Sequence, residues 1–332
     1  MIGISNFKAD NKDIFLVSTP LHDFESILFV LSTSELPSSQ ISKEDEELEL
    51  GIVDTYKMLF KMIMLPLMPA TIAVLLTSKV GFSAADSVSG LKLIERGVPK
   101  DKLAMLAVPV IPLQIVLPWI ISRYTVGPRP MDVFLKAMPP RLLMGLVYMW
   151  LVWATPSFQD SNGDFPAYYY VMIVAIYMVH QVFLYSMFVS IMAFFARISD
   201  PAVGGTYMTF LNTLTNLGGN WPATLALWWV DVLTYKQCDI SSLNTKNTNL
   251  TQSQLNDLKS NDCQDKEQSK LCESAGGKCD TEIEGYYVES ITCVIIGFLW
   301  LGLWGWRTIK RLQEASEADW RVVKKDKIKR KT

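Results

Sequence analysis

"GGTYMTFLNTLTNLGGNWP", Gly204 to Pro222, lies inside thirty residues, Pro201 to Val230, that carry no charged side chain. That length suits a membrane-crossing helix, which needs about 20 apolar residues. Yet the quoted stretch holds three Asn, four Thr, four Gly and one Pro. Thr206, Thr209, Asn212 or Thr213, Asn216 and Asn220 recur every three or four residues, a spacing that stacks them on one helix face. A polar group turned toward lipid goes unpaired, at a cost of several kcal/mol. The face therefore lines a polar cavity or seams two helices together. Gly204, Gly205, Gly218 and Gly219 permit close packing, and Gly218-Gly219 ahead of Pro222 loosens the helix. Three Asn are more than packing requires, which favours the cavity.

Working outward, five more uncharged runs of membrane size stand in the chain: Met62–Ser78, Leu103–Ser122, Leu142–Gln159, Phe165–Ala196 and Ser290–Trp306. The first and last are short and extend past one charged residue to reach full length. A soluble core helix alternates charged and apolar faces, and these runs do not. Half of the 332 residues are hydrophobic, and the modest mean hydropathy of +0.21 averages over strongly polar ends. The expected fold is all-α, a polytopic membrane protein with six transmembrane helices. The expected organisation is a polar cytosolic segment without fixed structure (1–57), five helices (58–234), a cysteine-bearing lumenal loop (235–286), a sixth helix (287–307) and a basic cytosolic tail (308–332).

Orientation follows from Lys and Arg near the helix ends. The tail after Trp306 carries ten of them, among them Arg307, Lys310, Arg311, Lys324 and Lys325, which places the C-terminus in the cytosol. Counting back, the Arg123–Arg141 loop is cytosolic and the Pro156–Pro166 loop lumenal. The segment with Lys92, Arg96, Lys100 and Lys102 dissents. The cysteines give an independent indication. Cys238, Cys263, Cys272 and Cys279 cluster in the long polar loop, which suggests disulfides in an oxidising compartment, with three pairings open. Asn249-Leu250-Thr251 in the same loop is a glycosylation sequon. Zinc is disfavoured there, because no CxxC pair or nearby histidine exists. Cys293 reads as packing inside the last helix.

Two more constellations stand out. Tyr177, Gln181 and Tyr185 form a stripe, with His180 beside it at mid-membrane depth. An ionisable residue there is a functional candidate. Lys79, Ser83 and Asp86, in "KVGFSAAD", share one face by spacing and are expected at the membrane edge, with Lys79 at the rim of the cavity. There it would attract an anionic substrate or snorkel to the interface. No Walker loop, GxSxG, HExxH or HxxxxD motif occurs, so no enzyme, no catalytic residue and no cofactor is expected. Nothing indicates nucleic acid.

Several long segments carry a resemblance. "GFSAADSVSGLKLIERGVPK" (81–100), "LAVPVIPLQIVLPWIIS" (106–122), "YSMFVSIMAFFARISDPAVGGTYMTFLNTLTNLGGNWP" (185–222) and "GYYVESITCVIIGF" (285–298) resemble the acetyl-coenzyme A transporters of the endoplasmic reticulum membrane. The resemblance covers about residues 50–320. It implies a major facilitator fold of twelve spans in two halves. It also implies transport of acetyl-CoA from cytosol into the lumen, where it feeds acetylation. This chain is similar to the C-terminal half alone. Its implied partners are the substrate, the lipid bilayer, and an N-terminal six-helix half or a second copy. In this setting Lys79 would meet phosphate, the Tyr177/Tyr185 stripe adenine, and the Asn/Thr stripe the pantetheine amides. The competing expectation is a truncated membrane scaffold that does not transport.

Overall fold

The computed structural model describes residues 52–161, 163–239, 263, 269–270, 272–273 and 278–322. The sequon at Asn249 and the basic residues from Lys324 onward lie outside them. An amphipathic helix α1 (Ile52–Ile63) comes first, so the last residues of the polar front segment are helical.

The first crossing is a broken rod. Helices α2 (Met68–Thr77), α3 (Ser83–Ser87) and α4 (Ser89–Glu95) follow one another, with a 3-10 turn at Val80–Phe82. Together they form one stretch, Met68–Glu95, long and apolar enough to cross a membrane. The expected span was the run to Ser78, extended past one charged residue. Here it continues through Lys79, Asp86 and Lys92, because those charges find partners inside the protein. The break has local causes. Thr77 bonds back to the carbonyl of Ala73 at 2.6 Å, a contact that bends helices. A Cβ on Gly81 would sit 2.8 Å from Cα of Gly297, so only glycine lets the two backbones meet.

Three more such stretches follow: Lys100–Thr125, Met131–Phe158 and Ala167–Ile198. They are built on α5 (Lys100–Met105) with α6 (Ile111–Thr125), on α7 (Met131–Ala154) and on α8 (Ala167–Ile198). Helix α7 runs straight through Pro139 and Pro140. The expected Arg123–Arg141 loop is therefore short, and Lys136 and Arg141 sit on a helix. Helix α9 (Gly204–Leu233) holds the polar stripe. At 30 residues it is long enough to cross, but its Asn and Thr keep it out of the apolar class. The fifth apolar stretch, Gly285–Glu314, comprises α10 (Gly285–Trp300), a π-helical turn at Leu301–Gly305 and α11 (Trp306–Glu314). The fold is thus an all-α polytopic membrane protein with five apolar crossings among the described residues.

The cysteine-bearing loop adds a small antiparallel ribbon, β1 (Tyr235–Asp239) with β2 (Lys278–Ile283). Disulfides join Cys238 to Cys272 and Cys263 to Cys279. All four thiols the sequence left open are thereby paired, and none remains as a thiolate for metal. Cys293 is buried and free.

Packing divides the bundle into two apolar layers. One is built on Phe134, Met138, Phe195, Tyr207, Leu312 and Trp320. The other is built on Val88, Leu93, Leu151, Tyr169, Val230 and Tyr286. Small residues make the closest crossings: a Cβ on Gly218 would lie 2.1 Å from the carbonyl oxygen of Leu75. Trp221 donates to the carbonyl of Leu76 at 2.9 Å, and the Trp300 indole donates to Oγ1 of Thr77 at 2.8 Å. Two indoles thus occupy the break in the first crossing, where backbone groups leave the helical ladder.

Candidate functional site

Between the two apolar layers lies a charged cluster. Asp86, on α3, accepts from a terminal nitrogen of Arg141 on α7 at 2.7 Å. Its other oxygen faces Nε2 of His180 on α8 at 3.3 Å. The Arg141 guanidinium lies 4.3 Å over the ring of Phe82 and reaches the Met187 sulfur at 3.6 Å. His180 meets the Tyr148 ring edge-on at 5.3 Å and stacks near Tyr177 at 6.5 Å. Arg141 and His180 are buried, their side chains 7% and 6% exposed, whereas Asp86 is 35% exposed. The carboxylate therefore marks the open side of the cluster. Nε of Arg141 and Nδ1 of His180 have no hydrogen-bond partner among the described residues.

Lys79 completes the group. Its ammonium donates to the backbone carbonyl of Thr215 on α9 at 3.0 Å and passes Gly219. It makes no ion pair with a described carboxylate. Lys79 is not at the membrane edge as expected. It sits near the middle of the Met68–Glu95 crossing, held there by the α9 backbone. Ser83 also departs from the expected face. It is buried, donating to the carbonyl of Val80 at 2.8 Å and lying 3.5 Å from the Cys293 sulfur.

The two expected stripes behave differently. In the α8 stripe Tyr177 faces the cluster, but Gln181 and Tyr185 are buried, and Tyr185 packs with Leu117 and Ile121 against α6. On α9, Asn216, Asn220 and Thr209 are exposed, and Thr206 and Asn212 are half-buried. Thr213 bonds to the carbonyl of Thr209 at 2.8 Å. The buried face of α9 instead carries Tyr207, Leu211, Thr215, Gly218 and Pro222. Within this chain the Asn stripe is therefore not a seam between helices. It lies on the same helix as Thr215 and Gly219, beside Lys79.

Sequence reasoning missed Arg141, Tyr148 and Glu289. Arg141 directly precedes the uncharged run Leu142–Gln159, behind Pro139-Pro140. Extending that run past one charge, as was done for the first and last runs, would have placed Arg141 in the membrane. Glu289 is buried on α10 with Oε2 unpartnered among the described residues.

A second ionic group closes one end of the bundle. Lys92 bridges Glu95 at 2.7 Å and Glu284 at 3.3 Å. Arg96 bonds the same Glu284 and also donates to the Tyr287 hydroxyl at 3.2 Å.

Comparison with known proteins gives a consistent picture. An uncharacterized protein of Schizosaccharomyces pombe is 29% identical over 275 residues, covering 83% of this chain and 49% of its own. An uncharacterized membrane protein of Saccharomyces cerevisiae is 23% identical over 296 residues, covering 81% of this chain and 50% of its own. The chain thus spans about half the length of these curated relatives. No solved structure matches it. The family described as acetyl-coenzyme A transporter 1 matches residues 17–154 and 131–322. With nearly the whole chain matched, this protein belongs to the acetyl-coenzyme A transporter 1 family.

Proposed function

We propose that this chain forms one wall of a membrane pathway for acetyl-CoA, moving it from cytosol into the endoplasmic reticulum lumen for acetylation there. One observation carries the reading. Inside the bundle Arg141 pairs with Asp86, while Lys79, in the same crossing as Asp86, bonds only a backbone carbonyl and pairs with no described carboxylate. Unbalanced charge in a membrane interior is costly and marks an ion or substrate path. An anionic substrate supplies the missing negative charge, and the Arg141 fork suits phosphate oxygens. Tyr177 offers an aromatic face to adenine. Asn212, Asn216 and Asn220 offer amide partners to the pantetheine arm. The broken first crossing fits a transporter, since discontinuous helices commonly frame a mid-membrane site.

In this reading the C-terminus is cytosolic and the disulfide-tied ribbon lumenal, with Asn249 glycosylated. The other wall comes from a further six-helix half, as in a major facilitator, or from a second copy. A second reading is a membrane scaffold that does not transport.

Two measurements on the purified chain in proteoliposomes separate these readings. One is quenching of tryptophan fluorescence by acetyl-CoA; the other is uptake of labelled acetyl-CoA. Quenching that Lys79→Met weakens supports the pathway, whether or not one wall suffices for uptake. The absence of both quenching and uptake supports the scaffold. Cysteines placed at 212, 216 and 220 and probed with a membrane-impermeant thiol reagent test the cavity. No labelling from either side, and no protection by acetyl-CoA, would make the stripe structural.

A further inference from the structure

The fifth apolar crossing ends in α11, "WRTIKRLQE". Its apolar face is spent on the bundle: Ile309 and Leu312 are buried, and Gln313 is held by Asp132 at 2.6 Å. Its other face is basic and borders an open groove of about 540 Å³. Leu67, just before the first crossing, and Trp306 are among its lining residues. Three cations line it: Arg307, Lys310 and Arg311.

Charge accounting gives the groove a direction. Its two acids already have partners: Glu314 pairs with Arg129 at 3.4 Å, and Asp319 accepts from the Ser316 hydroxyl at 2.8 Å. None of the three cations forms an ion pair with a described residue. The ammonium of Lys310 instead lies 5.2 Å over the Trp306 ring. Depth also has a marker. Leu303, Trp304 and Trp306 are exposed just before Arg307, and a tryptophan followed by cations marks the level of lipid headgroups. Beyond Arg321 the sequence adds Lys324, Lys325, Lys327, Lys329, Arg330 and Lys331, a polybasic run that draws anionic leaflets.

We infer that this groove binds the phosphomonoester headgroup of an anionic membrane lipid, with Arg307 and Arg311 gripping the phosphate and Trp306 and Leu67 seating the upper acyl chain. The site lies at the end of the bundle, apart from the Lys79–Asp86–Arg141 cluster, and stands whether or not the chain transports. Forked guanidinium groups suit a phosphomonoester better than a zwitterionic headgroup, which carries its own cation.

The test is lipid retention. The full chain is purified from mixed micelles of phosphatidylcholine and phosphatidylinositol monophosphate, and bound lipid is counted by native mass spectrometry. Phosphatidylinositol monophosphate is expected to be retained over phosphatidylcholine. Arg307→Ala with Arg311→Ala is expected to lower retention about tenfold. Arg307→Lys with Arg311→Lys should restore part of it. If the alanine pair does not elute as a folded species, Lys310→Gln is the second variant and should lower retention on its own. A tail variant with Lys324, Lys325 and Lys327 changed to Ala should keep most of the retention. Equal retention by the folded groove variants overturns the inference. So does loss in the tail variant alone, which would make the attraction a diffuse one. Displacement of the lipid by CoA or inorganic phosphate at matching concentration also overturns it, because the groove would then serve soluble phosphates.

Discussion

The protein contains two ionic clusters built from the same residue types, and they do opposite things. At the end of the bundle, Lys92 and Arg96 share Glu284, with Glu95 beside them. Cations and carboxylates balance there, and the group clamps the first crossing to the last. In the interior, Asp86 pairs with Arg141 and has His180 at its side, and Lys79 has no described carboxylate partner. Asp86 is the most exposed member of its cluster at 35%, and in the end cluster Glu284 is 11% and Glu95 65% exposed. The balanced cluster is a fastener, and the unbalanced one has room for another anion. Counting opposite charges within a cluster distinguishes the two roles better than burial alone, since each cluster has an exposed carboxylate.

Substitutions can break or sharpen this contrast. The largest effect is expected from Asp86→Asn, which leaves a buried arginine without its counter-ion. Removing one partner of a buried pair costs about 3–5 kcal/mol, so thermal unfolding in detergent should move sharply downward. Added acetyl-CoA should recover part of the loss if the cluster binds anions. Glu284→Gln should cost less, about 1–2 kcal/mol, because Lys92 keeps its bond to Glu95 and Arg96 is a third exposed. It should leave quenching by acetyl-CoA unchanged; a loss of quenching would erase the distinction between the clusters. Lys79→Met comes next. Its ammonium contacts only a backbone carbonyl, so stability should change by less than about 1 kcal/mol. Acetyl-CoA affinity should fall about tenfold, or ~1.4 kcal/mol. The smallest effect is expected from Asn216→Ala, an exposed position. Unfolding should stay within about 0.5 kcal/mol, and quenching should weaken only slightly. A large drop in folded yield there would turn the stripe back into a packing seam.

The helical crossings were legible in the sequence because lipid forbids irregular backbone and so writes long uncharged runs. The cysteine cluster was legible because thiols gather where they pair, although spacing left three pairings open and only the ribbon's geometry selects one. The interior cluster was half legible. His180 and Asp86 stood out as charges near apolar runs, but Arg141 did not. Bounding an uncharged run by its flanking charges fails where two charges neutralise each other across helices. That failure stops the first crossing short of Asp86 and Lys92 and assigns Arg141 to a loop. Pro139-Pro140 reinforced the error, since proline usually breaks a helix. The α8 stripe misled for a different reason. Spacing shows which residues share a face, but not which neighbour that face meets, and Tyr185 meets α6.

The broken first crossing also bears on how the chain enters the membrane. An insertion machinery partitions each emerging segment by its own apolarity, and a Lys or Asp at the centre of a helix costs about 2.5–3.5 kcal/mol on that scale. Met68–Glu95 carries Lys79, Asp86 and Lys92, while its partners Arg141, Thr215 and Glu284 are synthesised later. This crossing emerges before its partners and is therefore poorly able to settle alone. It becomes a good membrane helix only as its partners arrive, the last of them on the far side of the disulfide-tied ribbon. Biogenesis of this bundle is thus a waiting problem: the Met68–Glu95 crossing must be held at the insertion site until Glu284, the last of these partners, is made.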